Sequence, residues 1–276
     1  MLAIVGFNSF IARELMKRKL DTSGEFKAFD HNSTQKLLDC DGIKCIVNFA
    51  FHPLLYSEYY RPELDVDLKL ADIALSKSAH YVMISSRKVY GRDLQWNSNT
   101  DETATGSDIY GKNKVHIENS IRKKLGQNLT ILRPGNVFGF ERQPGRTRFG
   151  AYLLNQLANK GEIRLTVSPL VRRDIVPVDY FCEVLHNVIE KKPGGIFNVG
   201  AGQAVEVGQV ASWMLEGFGS GMLTGESTEV TDEFQLDSSR LKSEFGLSCS
   251  VEQIAQFSKG LGEKLRNEID AKSTRA

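Results

Sequence analysis

The sequence has little of what characterises nucleic-acid-binding, disulfide-bonded or membrane proteins. Its 35 basic residues are balanced by 34 acidic ones, for a net charge of +1, so no basic excess is available to bind a phosphate backbone. No apolar run is long enough to span a bilayer, and the first residues lack the basic start and cleavage site of a signal peptide. We therefore expect a cytoplasmic protein with neither nucleic acid nor a membrane as its partner.

Cysteine is also scarce. The four cysteines show neither paired spacing nor nearby histidine clusters: Cys40, Cys45, Cys182 and Cys249. This spacing predicts reduced thiols and no metal site or disulfide framework.

Short apolar segments alternate with amphipathic ones along the first half of the chain. The pattern predicts strands at 2–5, 25–29, 44–49, 81–84, 129–132 and 195–199, and helices at 64–78, 110–124, 149–160 and 179–190. Such alternation is typical of an α/β fold with a doubly wound parallel sheet of the Rossmann type. After Gly139 the alternation loosens, with a strand predicted at 163–167 and helices at 205–218 and 251–266.

This change predicts two parts. Residues 1–139 form a dinucleotide-binding core, with its sheet completed by about 173–200. Residues 140–172 and 201–276 form a small α/β substrate-binding lobe.

A glycine turn follows the first predicted strand and opens a helix. Gly6 stands at the tight turn, while Ser9 and Ala12 hold the two later positions where glycine is usual. In this context small residues let the pyrophosphate of a dinucleotide approach the helix N-terminus. On its own, the turn fits an unspecific strand-to-helix connection equally well.

Asp30, at the end of the second predicted strand, favours the cofactor interpretation. A carboxylate there can accept hydrogen bonds from ribose hydroxyls and repels a 2′-phosphate, which favours NAD over NADP. A solvated turn aspartate is the alternative.

Tyr110 and Lys114 lie one helical turn apart on the same face of a predicted helix. An unperturbed tyrosine has a pKa near ~10 and is a poor base, whereas a nearby ammonium stabilises the phenolate. The pair could then move a proton at an alcohol oxygen while hydride moves to or from a cofactor. Ser86, after another strand end, could hold that oxygen, although Tyr–Lys pairs at this spacing are also common on protein surfaces.

The chain resembles the extended short-chain dehydrogenase/reductase family, the nucleotide-sugar epimerases, dehydratases and reductases. The resemblance rests on the order and spacing of segments 6–12, 47–50, 84–91, 110–114, 132–139, 173–179 and 197–200, and on a closing segment near 236–247.

The resemblance implies a catalytic set and two groups of binding residues. The catalytic residues are Ser86, Tyr110 and Lys114, and the substrate or its diphosphate is held by Asn136 and Arg173. With Ser9 from the glycine turn, the predicted cofactor contacts are Gly6, Ser9, Phe10, Ile11, Asp30, Ala50 and Pro134. For Arg173, a salt bridge with Asp174 or Asp179 is the alternative. Arg142, Arg146 and Arg148 in a Pro-Gly loop could add to a phosphate site, and an ordinary solvated loop is the equal alternative.

Three departures from the family are informative. Ser9 replaces a phosphate-turn glycine, and Asp65 or Asp67 stands where the family usually has a structural asparagine. Arg87 and Lys88 stand where sugar 4,6-dehydratases carry an acidic pair. Two cations cannot supply the general acid and base of water elimination, which disfavours a dehydratase.

These observations predict an NAD(P)-dependent epimerase acting on a nucleotide sugar. A nucleotide-sugar 4-keto reductase is the near-equal alternative, and a non-catalytic NAD(P)-binding regulatory protein is the alternative of another class. Family resemblance also makes a homodimer possible, through the helix after Tyr110. The charged face predicted for this helix contains Lys112, His116, Glu118, Arg122 and Lys123, and it fits either a polar interface or none.

Overall fold

The computed structural model describes residues 1–18, 26–91, 95–142 and 148–273. The strands are β1 (Leu2–Val5), β2 (Phe26–Phe29), β3 (Cys45–Asn48), β4 (His80–Ile84), β5 (Trp96–Ser98), β6 (Leu129–Pro134), β7 (Asn136–Phe138), β8 (Glu162–Leu165), β9 (Arg172–Arg173), β10 (Ile175–Pro177), β11 (Gly195–Val199), β12 (Val205–Glu206), β13 (Met222–Gly225) and β14 (Gln235–Leu236). The helices are α1 (Phe10–Lys17), α2 (Gln35–Leu38), α3 (Val66–Ser76), α4 (Ile109–Leu125), α5 (Phe149–Lys160), α6 (Val178–Lys191), α7 (Val207–Phe218), α8 (Ser239–Phe245) and α9 (Val251–Ser273).

The main sheet has six strands in the order β11-β6-β4-β3-β1-β2, and every neighbouring pair is parallel. The predicted doubly wound parallel sheet is therefore confirmed. The chain leaves β1 for β2 on one side and then crosses to β3 on the other. This reversal opens a crevice at the carboxyl ends of β1 and β3, where ligands bind in such sheets.

Helices cover both faces of the sheet, so its strands are apolar along their whole length. Residues of β1 alternate between the two hydrophobic clusters that result. Leu2 and Ile4 pack in the cluster containing Leu15 of α1 and much of α6. Ala3 and Val5 pack in the cluster formed with α3 and α4. The first cluster also contains buried residues of α5, α7 and α9.

The second half of the chain forms short sheets and a helical pair. β8 pairs with β13, β7 with β10 and β5 with β14, all in parallel. α7 begins at Val207 and not at the predicted Val205, because β12 pairs antiparallel with β9. Gly217 and Gly262 let the backbones of α7 and α9 touch, since a Cβ at either position would overlap the other helix. The predicted division into a core and a substrate lobe stays a prediction.

One predicted surface residue is in the interior. Glu118 was expected on the charged face of α4, and that prediction is wrong. Glu118 is 1% exposed. Its carboxylate accepts hydrogen bonds from Arg133 Nη2 at 2.6 Å and from Arg133 Nε at 3.2 Å. Ser85 also donates to it. The face of α4 that contains Lys114 and Glu118, one turn apart, packs against the sheet.

All four cysteines are free thiols, and Cys45, Cys182 and Cys249 are buried. Within the described ranges, none of the helices combines the length and the hydropathy that a membrane span requires.

Candidate active site

A cleft of about 700 Å³ opens at the carboxyl edge of the main sheet. It brings together most of the residues predicted from the sequence. Those lining it are Ser9, Ile11, Ala50, Ser86, Tyr110, Lys114, Pro134, Asn136 and Arg173. Gly6, Phe10 and Asp30 lie outside this lining.

The glycine turn at the end of β1 is shaped to admit a phosphate group. Gly6 has φ +74°, and a Cβ there would lie 2.7 Å from the backbone nitrogen of Ala50. Ser9 caps α1, and its hydroxyl accepts a hydrogen bond from Ala12 N at 3.2 Å. The Ser9 side chain is thus turned back onto its own helix, where it satisfies one N–H group of the first turn. The cradle therefore fits a dinucleotide pyrophosphate despite the missing glycine.

Phe10 and Asp30 are placed differently from the cleft-lining residues. The Phe10 residue is 4% exposed and packs in the core, so a cofactor contact there could come only from its backbone. Asp30 ends β2 and its Oδ1 accepts from Asn32 N at 2.9 Å, with His31 Nδ1 at 3.5 Å. One carboxylate oxygen thus caps a short helical turn, and its role toward a ribose stays a prediction.

Ser86, Tyr110 and Lys114 come from two elements that meet at the cleft. Ser86 follows β4, and its hydroxyl accepts from Lys88 N at 3.1 Å. Tyr110 lies in the first turn of α4, which Asp108 caps by accepting from Gly111 N at 2.8 Å. Lys114 follows one turn later, and its ammonium donates to Ile84 O at 2.9 Å. The strand end and the helix start therefore hold all three side chains at one point of the cleft.

Burial sets the acidity of the Tyr110 phenol. Loss of solvent raises the pKa of Tyr110 to about 12, opposed by a hydrogen bond with Ser86 and by the charge of Arg148. Asp108 and Asp67 raise this pKa further. The sequence predicts that Lys114 lowers the pKa of Tyr110, whereas burial raises this pKa in the structure. In this chain Tyr110 holds its proton at neutral pH and is ready to donate it.

Two aromatic residues that the sequence did not single out enclose Tyr110. Tyr56 stacks on its ring with centroids 5.0 Å apart and an interplanar angle of 16°. Phe51 meets both rings edge-on, at 5.2 Å from Tyr110 and 5.0 Å from Tyr56. Lys114 Nζ lies 4.3 Å from the centroid of the Phe51 ring. Both aromatics lie in the loop after β3, whose sequence has no periodicity to signal their position.

The two residues predicted to hold the substrate also line the cleft. Asn136 begins β7 and Arg173 ends β9. Within the described ranges, Arg173 forms its ion pair with Asp232 and with neither of the partners considered from the sequence. Its Nη2 is 3.8 Å from Asp232 Oδ2, while Asp174 accepts from Ala201 N at 2.6 Å and Asp179 pairs with Arg18.

The other cations named in the sequence analysis divide between the cleft and the rest of the molecule. Arg148 lines the cleft, Arg142 pairs with Glu268 at 3.0 Å, and Arg146 lies outside the described residues. Arg87 donates to both carboxylate oxygens of Asp232 at 2.7 Å and is 5% exposed. Neither Arg87 nor Lys88 is among the cleft-lining residues.

Solved structures with the same fold include several enzymes of nucleotide-sugar metabolism. The UDP-glucose 4-epimerase of Thermotoga maritima, solved with UDP-glucose, has a TM-score of 0.77 at 16% identity, over 95% of this chain and 98% of that one. MoeE5, solved with UDP-glucose and NAD, has a TM-score of 0.76 at 18% identity, over 95% of this chain and 98% of its own. RMD from Pseudomonas aeruginosa, solved with NADPH, has a TM-score of 0.76 at 14% identity, over 97% and 99% of the two chains. At these identities the likeness shows the fold.

A comparison with curated proteins gave no match. The sequence model described as the NAD dependent epimerase/dehydratase family matches residues 4–200. This span contains the glycine turn, the Ser86–Tyr110–Lys114 cluster and Arg173, and it is more than half of the 276 residues. The chain belongs to the NAD-dependent epimerase/dehydratase family.

Proposed function

We propose that this protein is an NAD-dependent epimerase of a nucleotide sugar, with Tyr110 as its proton donor and acceptor. One observation carries the proposal: Ser9 and Ile11, at the start of α1, line the same cleft as Ser86, Tyr110 and Lys114. Asn136 and Arg173, the residues predicted to hold the substrate, line it as well. A cofactor and a sugar could therefore occupy the cleft at the same time.

When bound, the nicotinamide would take hydride from a sugar carbon or return it. The chain's own residues handle the proton and the positioning. In the reductive direction the Tyr110 phenol donates its proton to the carbonyl oxygen, and Ser86 hydrogen-bonds the same oxygen. In the oxidative direction the Tyr110 phenolate, the form that the positive charges of Lys114 and Arg148 stabilise, accepts the hydroxyl proton. Both directions use one residue, as an epimerisation requires.

The nucleotide-sugar class is supported by the cations of the cleft and by the relatives. Arg173 is 15% exposed in its side chain, and a guanidinium fork suits bidentate contact with a diphosphate. The epimerase from Thermotoga maritima and MoeE5 were both solved with UDP-glucose. Water elimination is not part of the proposal, because Arg87 is bonded to Asp232 and the cleft lining offers no acidic pair among the described residues.

Cofactor binding is the first test. We expect purified protein to bind NADH and to prefer NADH over NADPH. Binding is measured by fluorescence quenching or by energy transfer to the bound NADH. Gly6→Ala places a Cβ against Ala50 N and should weaken NADH binding at least tenfold. Gly260→Ala is the matched control, because a Cβ there meets open space within α9. Failure of the wild type to bind either nucleotide would contradict the proposal.

A panel of nucleotide sugars then separates the related activities. An epimerase interconverts two sugars with no net change in NAD, so its product appears without a change in NADH absorbance. Stoichiometric consumption of NADH by a 4-keto sugar would identify a ketoreductase instead. Tight cofactor binding with no turnover across the panel would favour the non-catalytic regulatory protein.

A further inference from the structure

Lys114 has a charged partner that the family resemblance does not supply. Its side chain is 3% exposed, and its ammonium lies 4.0 Å from Asp67 Oδ2. The nearest other contacts are a hydrogen bond to Ile84 O at 2.9 Å and the Phe51 ring. A lysine charge withdrawn from water to this degree needs a compensating anion. Among the described residues, Asp67 is the carboxylate that comes within 4.0 Å of it.

Asp67 is itself held rigidly. Its Oδ1 accepts from Asn48 Nδ2 and from the Tyr81 hydroxyl, both at 2.7 Å. Its side chain is 2% exposed. These two bonds come from β3 and β4 and fix one carboxylate oxygen against the sheet. The other oxygen is left directed toward Lys114.

Asp65, two residues earlier, is a natural comparison. It is also a buried carboxylate of the same segment, but it serves as the N-cap of α3. It accepts from Leu68 N and from the Tyr60 hydroxyl, both at 2.9 Å. Asp67, not Asp65, is the carboxylate that forms an ion pair with Lys114.

We propose that Asp67 is a positioning residue whose carboxylate holds the Lys114 ammonium at the floor of the cleft and partly neutralises its charge. The inference rests on the proposed function, in which Lys114 favours the phenolate of Tyr110. An amide at position 67 could keep the hydrogen bonds from Asn48 and Tyr81, but it has no charge to offset the ammonium. The carboxylate therefore limits how strongly Lys114 can assist Tyr110.

The surroundings of Tyr110 are consistent with this balance. Ser86 and Arg148 favour its phenolate, whereas Asp108 and Asp67 oppose it. Lys114 lies on the same helix and faces Asp67, and Lys88 Nζ lies 3.5 Å from Asp108. Removing the charge of Asp67 leaves every other group in place. We therefore expect the pKa of Tyr110 to fall in Asp67→Asn.

A double-mutant cycle on the cofactor-free protein tests the pairing without any assumption about catalysis. Asp67→Asn and Lys114→Met are made singly and together, and the unfolding equilibrium constant is measured in urea. Each single change leaves one buried charge without its partner, whereas the double change removes both. If the two single effects were independent, their factors would multiply. We expect the unfolding equilibrium constant of the double variant to be at least tenfold smaller than that product.

Asp65→Asn combined with Lys114→Met is the control cycle, with an expected coupling below threefold. Equal coupling in the two cycles would overturn the inference. If Asp67→Asn does not fold on its own, the double variant still decides the matter. Folding restored by Lys114→Met supports the pair, and a double variant that also fails to fold contradicts it.

The pH dependence of kcat/KM tests the electrostatic part, because a purely structural role would not move it. In Asp67→Asn the apparent pKa assigned to Tyr110 should fall by about one unit, a tenfold change in proton affinity. Asp65→Asn should change the proton affinity of Tyr110 by less than threefold. Asp67→Glu, which keeps the carboxylate, should show the wild-type profile. An unmoved profile in Asp67→Asn would refute charge neutralisation. If the wild type shows no turnover, the proposed function has failed, and the stability cycle alone decides the role of Asp67.

Discussion

Two buried ion pairs on α4 lie one turn apart and hold their charges differently. Glu118 and Arg133 make two hydrogen bonds, at 2.6 and 3.2 Å, and are surrounded by core residues. Lys114 and Asp67 approach only to 4.0 Å, and Lys114 lines the cleft. The first pair satisfies its charges within the fold. In the second pair, the charge of the Lys114 ammonium is only partly offset, so it can still stabilise the phenolate of Tyr110.

The difference has a geometric origin. The planar guanidinium of Arg133 makes a bidentate contact, with Nε and Nη2 each donating to one carboxylate oxygen of Glu118. Its other Nη donates to the Tyr90 hydroxyl at 3.1 Å, and Tyr90 donates to Asn198. Lys114 is a point charge with one close carbonyl partner. We therefore assign stability to the Glu118 pair and chemistry to the Lys114 pair. Substitutions at each pair test this assignment, and a third tests the shielding of Tyr110.

Lys114→Met should have the largest effect of the three substitutions, and the quantity that it lowers should be kcat. Loss of the ammonium removes the charge that favours the Tyr110 phenolate, so kcat should fall by about 10²–10⁴-fold, the usual contribution of acid–base catalysis. Steady-state kinetics with a substrate from the panel measures this. A kcat within threefold of the wild type would place the chemistry elsewhere.

Glu118→Gln should act mainly on stability. It leaves the buried Arg133 cation without its counter-charge, which should lower the free energy of unfolding by about 3–5 kcal/mol. Urea denaturation measures the change, while kcat per folded molecule should stay within a few-fold of the wild type. Glu216→Gln is the matched control, because its pair with Lys259 at 2.6 Å is exposed and should contribute less than about 1 kcal/mol. Similar losses for the two variants would remove the distinction between a structural and a surface pair.

Tyr56→Ala should have the smallest effect, on the acidity of Tyr110. The stacked ring helps to exclude water from the phenol, and burial is the main reason that its pKa is raised to about 12. Exposure should bring this pKa down by about one unit, toward the ordinary tyrosine value near ~10. The sign is fixed: solvent favours the phenolate, so the alkaline limb of the pH–rate profile moves to lower pH. Tyr59→Ala, on a side chain already 77% exposed, should leave the limb where it is, and equal shifts in both variants would contradict the shielding role.

The sequence was sufficient for the sheet and for the residues that follow its strands. Strand periodicity placed β1, β3, β4 and β11 within a residue or so of their ends, and residues after parallel strands necessarily meet at one edge. Ser86 is such a residue, whereas Lys114 comes to the same cleft from the second turn of α4. Their distance in the chain does not matter once the strand and helix are known.

Other features of the site could not be predicted, because they depend on tertiary contacts that leave no local pattern in the sequence. Helical spacing put Glu118 with exposed charges, because its partner Arg133 comes from a strand outside that helix. Phe51 and Tyr56 lie in a loop after β3, where no period signals which side chains turn toward the cleft. Asp67 was visible as a departure from the family, but its contact with Lys114 depends on the packing of α3 against α4.

The central claim is that Tyr110 is the proton donor and acceptor in an NAD-binding cleft. The most direct measurement compares Tyr110→Phe with the wild type, using NADH titration and turnover of the same nucleotide sugar. We predict that the variant binds NADH within threefold of the wild type and loses at least a hundredfold in kcat. A Tyr110→Phe variant that keeps full turnover would contradict the account.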